Sequence, residues 1–207
     1  MTITLAPLPA LSAPSLAALR EINESALALL SDIAHDYSAE PGDFSLPYVA
    51  RRVLQNAAAR ERARLADIPA LLVDIEFRHT EWWQQVAMRP TRMADPAGPR
   101  HGTHRRALRS LTRAALAYAW NIVHQDRPGA QIVLGISPEV IDVIAGIGPV
   151  HLQRIADRAL WHLRPRWHDR PALWRHLLRP LARPESARLA RIQCLQQLDA
   201  RGLHVPP

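Results

Sequence analysis

HRRALRSLTRAALAYAWNIVH, residues 104–124, is the stretch that decides the fold class. Its apolar side chains recur every three or four residues, which is the spacing of one stripe along a long α-helix. The stripe consists of Leu108, Leu111, Ala115, Tyr118, Ala119, Ile122 and Val123. A similar stripe runs from Leu16 to Ile33 and predicts a second long helix, with Ser12 or Ser15 as its N-cap. The sequence therefore predicts an all-α fold.

Shorter helices are predicted between these two. Capping side chains predict helix starts at Ser45, Thr80, Ser137 and Asp169, three of them with a proline close behind. Periodicity predicts further helices over about 57–67, 150–160 and 184–201, the last ending at Gly202. LLVDIEF, residues 71–77, predicts a short extended segment, and Asp126-Arg127-Pro128-Gly129 has the composition of a turn.

The two halves of the chain repeat the same order of predicted elements. Arg64-Leu65-Ala66-Asp67 lies 90 residues before Arg154-Ile155-Ala156-Asp157, and Trp83 lies 91 before Trp174. The capping residues Ser45 and Ser137 are 92 apart, and Asp36 and Asp126 are 90 apart. Residues 89–103, rich in proline and glycine, read as a linker. We therefore predict two similar helical units, 1–88 and 104–207.

Charge is distributed unevenly along the chain. All 26 basic residues are arginine, and the net charge is +7, from −2 over residues 1–100 and +9 over residues 101–207. This balance predicts an anionic partner, either nucleic acid or an acidic protein. The arginines grouped around tryptophans in the second half are the candidate DNA contacts, and they are Arg164, Arg166, Arg170, Arg175 and Arg179. Short capped helices of this kind also form helix-turn-helix elements.

Other classes of function are not indicated by the sequence. It contains no glycine-rich phosphate loop, no GxSxG and no HExxH, so we expect neither an enzyme nor a cofactor. The histidines do not pair with carboxylates at metal-ligand spacing, and the single Cys194 provides no cysteine-based zinc site, so no metal is expected. With no secretory-type N-terminus and no apolar stretch longer than Ala114–Val123, the sequence predicts a cytoplasmic protein that does not span a membrane.

Residues 114–166 resemble the FlhD family, the flagellar transcriptional activator subunit. The resemblance rests on Gln125-Asp126, Leu134-Gly135-Ile136, Glu139, Ala145, the run from Leu152 to Asp157, and Arg166-Trp167. The first half is similar more faintly, through Glu21-Ile22-Asn23, Arg64 to Asp67 and Phe77-Arg78. In place of the LGI turn the first half has Phe44-Ser45-Leu46.

The resemblance implies an all-helical regulator. FlhD proteins form homodimers and join FlhC, which supplies the zinc and much of the DNA contact, to activate transcription. Two copies in one chain imply an intramolecular pseudo-dimer that acts with an FlhC-like partner on promoter DNA. The alternative is a non-enzymatic helical adaptor, such as a cytoplasmic component of a secretion apparatus, whose arginines bind an acidic protein.

Overall fold

A computed structural model describes residues 12–35, 44, 46, 48–88 and 104–178. These residues form nine α-helices and two short strands, namely α1 (Ala13–His35), α2 (Tyr48–Asn56), α3 (Ala59–Ala66), β1 (Val73–Ile75), α4 (Thr80–Met88), α5 (Arg105–Gln125), α6 (Arg127–Leu134), α7 (Pro138–Ala145), α8 (Pro149–Ala159), β2 (Leu163–Pro165) and α9 (Pro171–Leu178). A 3-10 turn, Leu160–His162, joins α8 to β2. The predominantly helical fold predicted from the sequence is confirmed.

Two of the predicted helix caps agree with the structure. The Ser12 hydroxyl accepts a hydrogen bond from the Ser15 N–H at 3.3 Å, so Ser12 caps α1. The Ser137 hydroxyl accepts from the Val140 N–H at 3.3 Å, and Pro138 follows as the first helical residue. The extended segment predicted within residues 71–77 is strand β1.

Three local predictions were wrong. The segment beginning at Asp126 is not a free turn, because the Asp126 carboxylate accepts from the Gly129 N–H at 2.9 Å and thereby caps helix α6. Thr80 is the first residue of α4 rather than its cap, since the carbonyl of the preceding His79 already accepts the Trp83 N–H. The carbonyl of Arg170, not that of Asp169, accepts the first backbone bonds of α9.

Several predicted features lie outside the described residues. They are the proposed cap Ser45, Asp36 of the repeat, the linker over 89–103, the helix over 184–201 with Gly202, and Arg179.

The described parts of the two halves enclose one continuous hydrophobic core. β1 pairs with β2 in antiparallel register, with Val73 opposite Pro165, Asp74 opposite Arg164 and Ile75 opposite Leu163. Around this pair, α9 packs on α2 and α4 packs on α7, so each half covers part of the other. Within each half the long helix packs on a shorter one, α1 on α3 and α5 on α8.

The pattern of buried residues repeats along the chain, with a spacing close to that of the helices and strands. Each of the eight buried positions of α1, from Leu19 to Ala34, has a buried counterpart 89 residues later in α5. The buried polar Asn23 corresponds in this way to the buried polar Thr112. Asp67, which pairs with Arg20 at 3.2 Å, lies 90 residues before Asp157, which pairs with Arg109 at 3.4 Å. The matching RLAD and RIAD sequences therefore supply the same ion pair to the long helix of each half.

In the described residues, no single helix is both long and apolar enough to cross a membrane. Helices α6 and α7 meet both criteria only when they are taken together, and they are bent by 117° relative to each other.

Candidate functional site

Polar side chains from both halves meet beside the strand pair. The Glu76 carboxylate is paired with the Arg164 guanidinium and lies 3.4 Å from Nδ1 of His162. The indole N–H of Trp82 donates to Nε2 of His162 at 3.0 Å, so the proton of a neutral His162 is on Nδ1, facing Glu76. Arg164, predicted as a DNA contact, is therefore placed in an ion pair that joins β2 to the end of β1.

Arg166 lies in the interior, with 6% of its surface exposed. Its Nη1 donates to the Val133 carbonyl at 2.7 Å, and its guanidinium lies over the Trp167 ring, 4.6 Å from the centroid. The guanidinium also packs on Gly135, which has a φ of 64°, so closely that a Cβ there would be 2.2 Å from Nη2. The LGI turn of the second half thus provides both a left-handed residue and the space for Arg166.

A cleft of about 410 Å³ opens next to these groups. Asp74, Gly135, Arg166 and Arg170 are among the residues that line it. Burial raises the pKa of the Asp74 carboxyl, although the Phe77 N–H, which donates to it at 3.2 Å, and Arg166 oppose that effect. Beside the cleft, Glu76 pairs with Arg164, and Arg166 donates to a backbone carbonyl, so these groups hold the local structure together.

Two of the remaining predicted arginines, Arg170 and Arg175, lie on or near α9. Arg170 precedes the helix and is half-buried, whereas Arg175 is exposed on its surface, and Arg179 lies outside the described residues. The structure therefore brings Arg164, Arg166 and Arg170 together around the strand pair and its cleft, and leaves Arg175 on an outer helix face. The neighbouring tryptophans Trp167 and Trp174 are buried.

The helix that carries Arg175 packs on two arginine-rich helices of the first half, which the sequence did not point to. α9 packs on both α2 and α3, which carry Arg51 and Arg52 in YVARRVLQN and Arg60, Arg62 and Arg64 in ARERARLA. The net charge of −2 over residues 1–100 gave no sign that these helices are positively charged, because the acidic residues of that half lie mostly outside them. A charge count for each helix, five arginines against Glu61, would have found them.

Within the part of the chain that the structure describes, no group of three or more His, Cys, Asp or Glu side chains is placed to hold a metal ion. Two of the histidines there contact tryptophan side chains. His162 binds Trp82, and His124 lies against Trp120 with ring centroids 4.2 Å apart.

Comparison with known proteins finds no matching family model, no matching curated protein and no matching solved structure.

Proposed function

We propose that this chain is a transcriptional regulator subunit, a tandem FlhD-like protein that acts with an FlhC-like partner on promoter DNA. The observation that carries the proposal is the pairing of the two halves around β1 and β2. Asp74 lies opposite Arg164, the residue 90 positions later, so corresponding strands of the two halves meet each other. A symmetric dimer makes contacts of this kind, in which the same surface occurs on both sides.

The helix contacts support the same interpretation. α2 and α7 occupy corresponding places in the two halves, as do α4 and α9. The contact of α2 with α9 is therefore matched by that of α7 with α4. Both strands are also followed by a residue of positive φ, Glu76 at 52° and Trp167 at 56°. These matched features favour an intramolecular pseudo-dimer, which is what two FlhD-like copies in one chain would form.

The contact with DNA is assigned to two of the five predicted arginines, the exposed Arg175 and the half-buried Arg170. Arg175 is exposed and Arg170 lies at the start of the same helix, whereas Arg164 and Arg166 hold the strand pair and the LGI turn together. Guanidinium groups on a helix surface bind phosphate oxygens without reading the base sequence. In this proposal the FlhC-like partner supplies the remaining contacts.

The proposal is tested by mixing the purified chain with an FlhC-like protein from the same genome and measuring gel-shift affinity for duplexes from upstream regions of that genome. We expect a stable complex that retards DNA and loses affinity as salt increases. Reversing charge at Arg170 and Arg175 should weaken the retention and flatten its salt dependence. The same change at Arg105 and Arg106, two exposed arginines of α5, provides the matched control.

Failure to form a complex with the FlhC-like protein would contradict the proposed role as a transcriptional regulator subunit. Binding of an acidic protein without any retention of duplex DNA would favour the helical adaptor instead.

A further inference from the structure

The outer faces of α2, α3 and α9 carry an excess of positive charge that comes from both halves of the chain. These helices contain six arginines, which are Arg51, Arg52, Arg60, Arg62, Arg64 and Arg175, and one acidic residue, Glu61. The Glu61 carboxylate accepts a hydrogen bond from the Ala58 N–H at 2.8 Å, so it is engaged in capping α3. The charge of this group of helices is therefore strongly positive.

The fold does not require three of these arginines, Arg52, Arg60 and Arg175. At the corresponding positions of the other half, 90 residues later, Arg52 is replaced by Asp142 and Arg60 by Val150, both exposed. Arg175 corresponds in the same way to the exposed Gln84, which lies 91 residues earlier. Since an acid, an apolar residue and an amide occupy these positions in the same helical framework, packing does not explain the three arginines.

The three guanidinium groups are also accessible. Arg52, Arg60 and Arg175 are exposed, and none of them forms an ion pair with another described residue. Tyr48 lies one helical turn before Arg52, is 70% exposed and has the Arg52 guanidinium 6.0 Å from its ring centroid. Arginine and tyrosine side chains are both common donors to the phosphate oxygens of nucleic acids.

We propose that the surface formed by Tyr48, Arg52, Arg60 and Arg175, here called the basic face, binds the phosphate backbone of duplex DNA. This inference rests on the proposed function and gives it a surface that spans both halves of the chain. A duplex presents closely spaced phosphates along its length, so separate arginines on neighbouring helices can each neutralise one of them.

The test uses the full-length protein alone and a fluorescently labelled duplex, with anisotropy measured from about 50 to 200 mM salt. One variant combines Arg52→Gln, Arg60→Gln and Arg175→Gln. The control combines Arg105→Gln, Arg106→Gln and Arg154→Gln, which removes the same charge from exposed positions of α5 and α8. Circular dichroism establishes that both variants remain helical.

We expect the basic-face variant to bind at least about tenfold more weakly at the lowest salt, with the slope of log K against log salt reduced by about 2 to 3. The control should stay within about twofold to threefold of the wild type, because the charge it removes lies outside the basic face. Equal losses in both variants would overturn the assignment, since binding would then follow total charge. Binding of polyglutamate without binding of the duplex would also overturn it, in favour of an acidic protein partner.

Assembly with the FlhC-like protein distinguishes this inference from the proposed function. A basic-face variant that joins the partner and retards DNA as the wild type does would overturn the basic face and the contact assigned to Arg175, and would leave the role beside the FlhC-like partner in place. A wild-type chain that binds the duplex through the basic face but does not join the partner would support the basic face and contradict the FlhD-like role.

Discussion

At the scale of single residues, Gly135 and Arg166 depend on each other. Gly135 adopts a φ of 64°, and the Arg166 guanidinium occupies the space that a side chain at position 135 would need. Arg166 in turn binds the Val133 carbonyl, which also accepts the Leu71 N–H of the first half at 2.8 Å. The LGI turn thus positions a buried arginine that helps to join the two halves.

We predict that Gly135→Ala lowers the free energy of unfolding by about 2 kcal/mol or more, because it combines an unfavourable φ with a clash against Arg166. Urea denaturation followed by circular dichroism measures the change. Gly146→Ala is the control, since Gly146 has a φ of −80° and its nearest neighbour lies 3.5 Å from an added Cβ. Equal stability of the two variants would contradict the role given to Gly135.

At the scale of elements, sequence periodicity located the long helices because their buried faces are wide and regular. The serine caps of α1 and α7 were predictable from residue type alone, since a short hydroxyl side chain satisfies the first free N–H groups. The start of α6 was not, because Asp126-Arg127-Pro128-Gly129 has the same composition whether it forms a free turn or caps a helix. The pairing of β1 with β2 depends on contacts between distant segments, which local patterns do not encode.

The carboxyl group of Asp74 on β1 leads to a prediction about how stability depends on pH. Burial raises the pKa of Asp74 on β1, so the folded protein keeps this proton to a higher pH than the unfolded chain does. Ionisation of Asp74 therefore lowers the free energy of unfolding. The stability of the wild type should fall relative to that of Asp74→Asn as the pH rises from about 4 to about 7. Urea midpoints of both proteins across this range measure the difference.

Asp142→Asn removes a carboxylate from an exposed position and is the control. A stability difference between wild type and Asp74→Asn that stays constant over the same pH range would contradict the assigned effect of burial.

At the scale of the whole molecule, the net charge of each half of the sequence does not describe the charge of the surfaces that the fold creates. Counting by halves predicted a neutral unit and a basic unit, but the fold brings the arginine-rich α2 and α3 of the first half beside α9 of the second. The candidate arginines were chosen from clustering along the sequence, and clustering did not separate the exposed Arg175 from the buried Arg166. Burial of an arginine depends on which segments pack over it, and the spacing of residues along the chain does not contain that information.

The two halves of the chain pair with each other through β1 and β2. A double variant, Asp74→Cys with Arg164→Cys, places two thiols opposite each other in the strand register, in a chain whose Cys194 is changed to Ser. After mild oxidation, non-reducing electrophoresis and free-thiol counting should show a bond within one chain of 23.2 kDa. Each single-cysteine variant shows how much bonding between chains occurs by collision alone.

We expect a monomer with both introduced thiols consumed. A double variant that keeps both thiols free, or that links only into dimers of two chains, would contradict the pairing of the two halves.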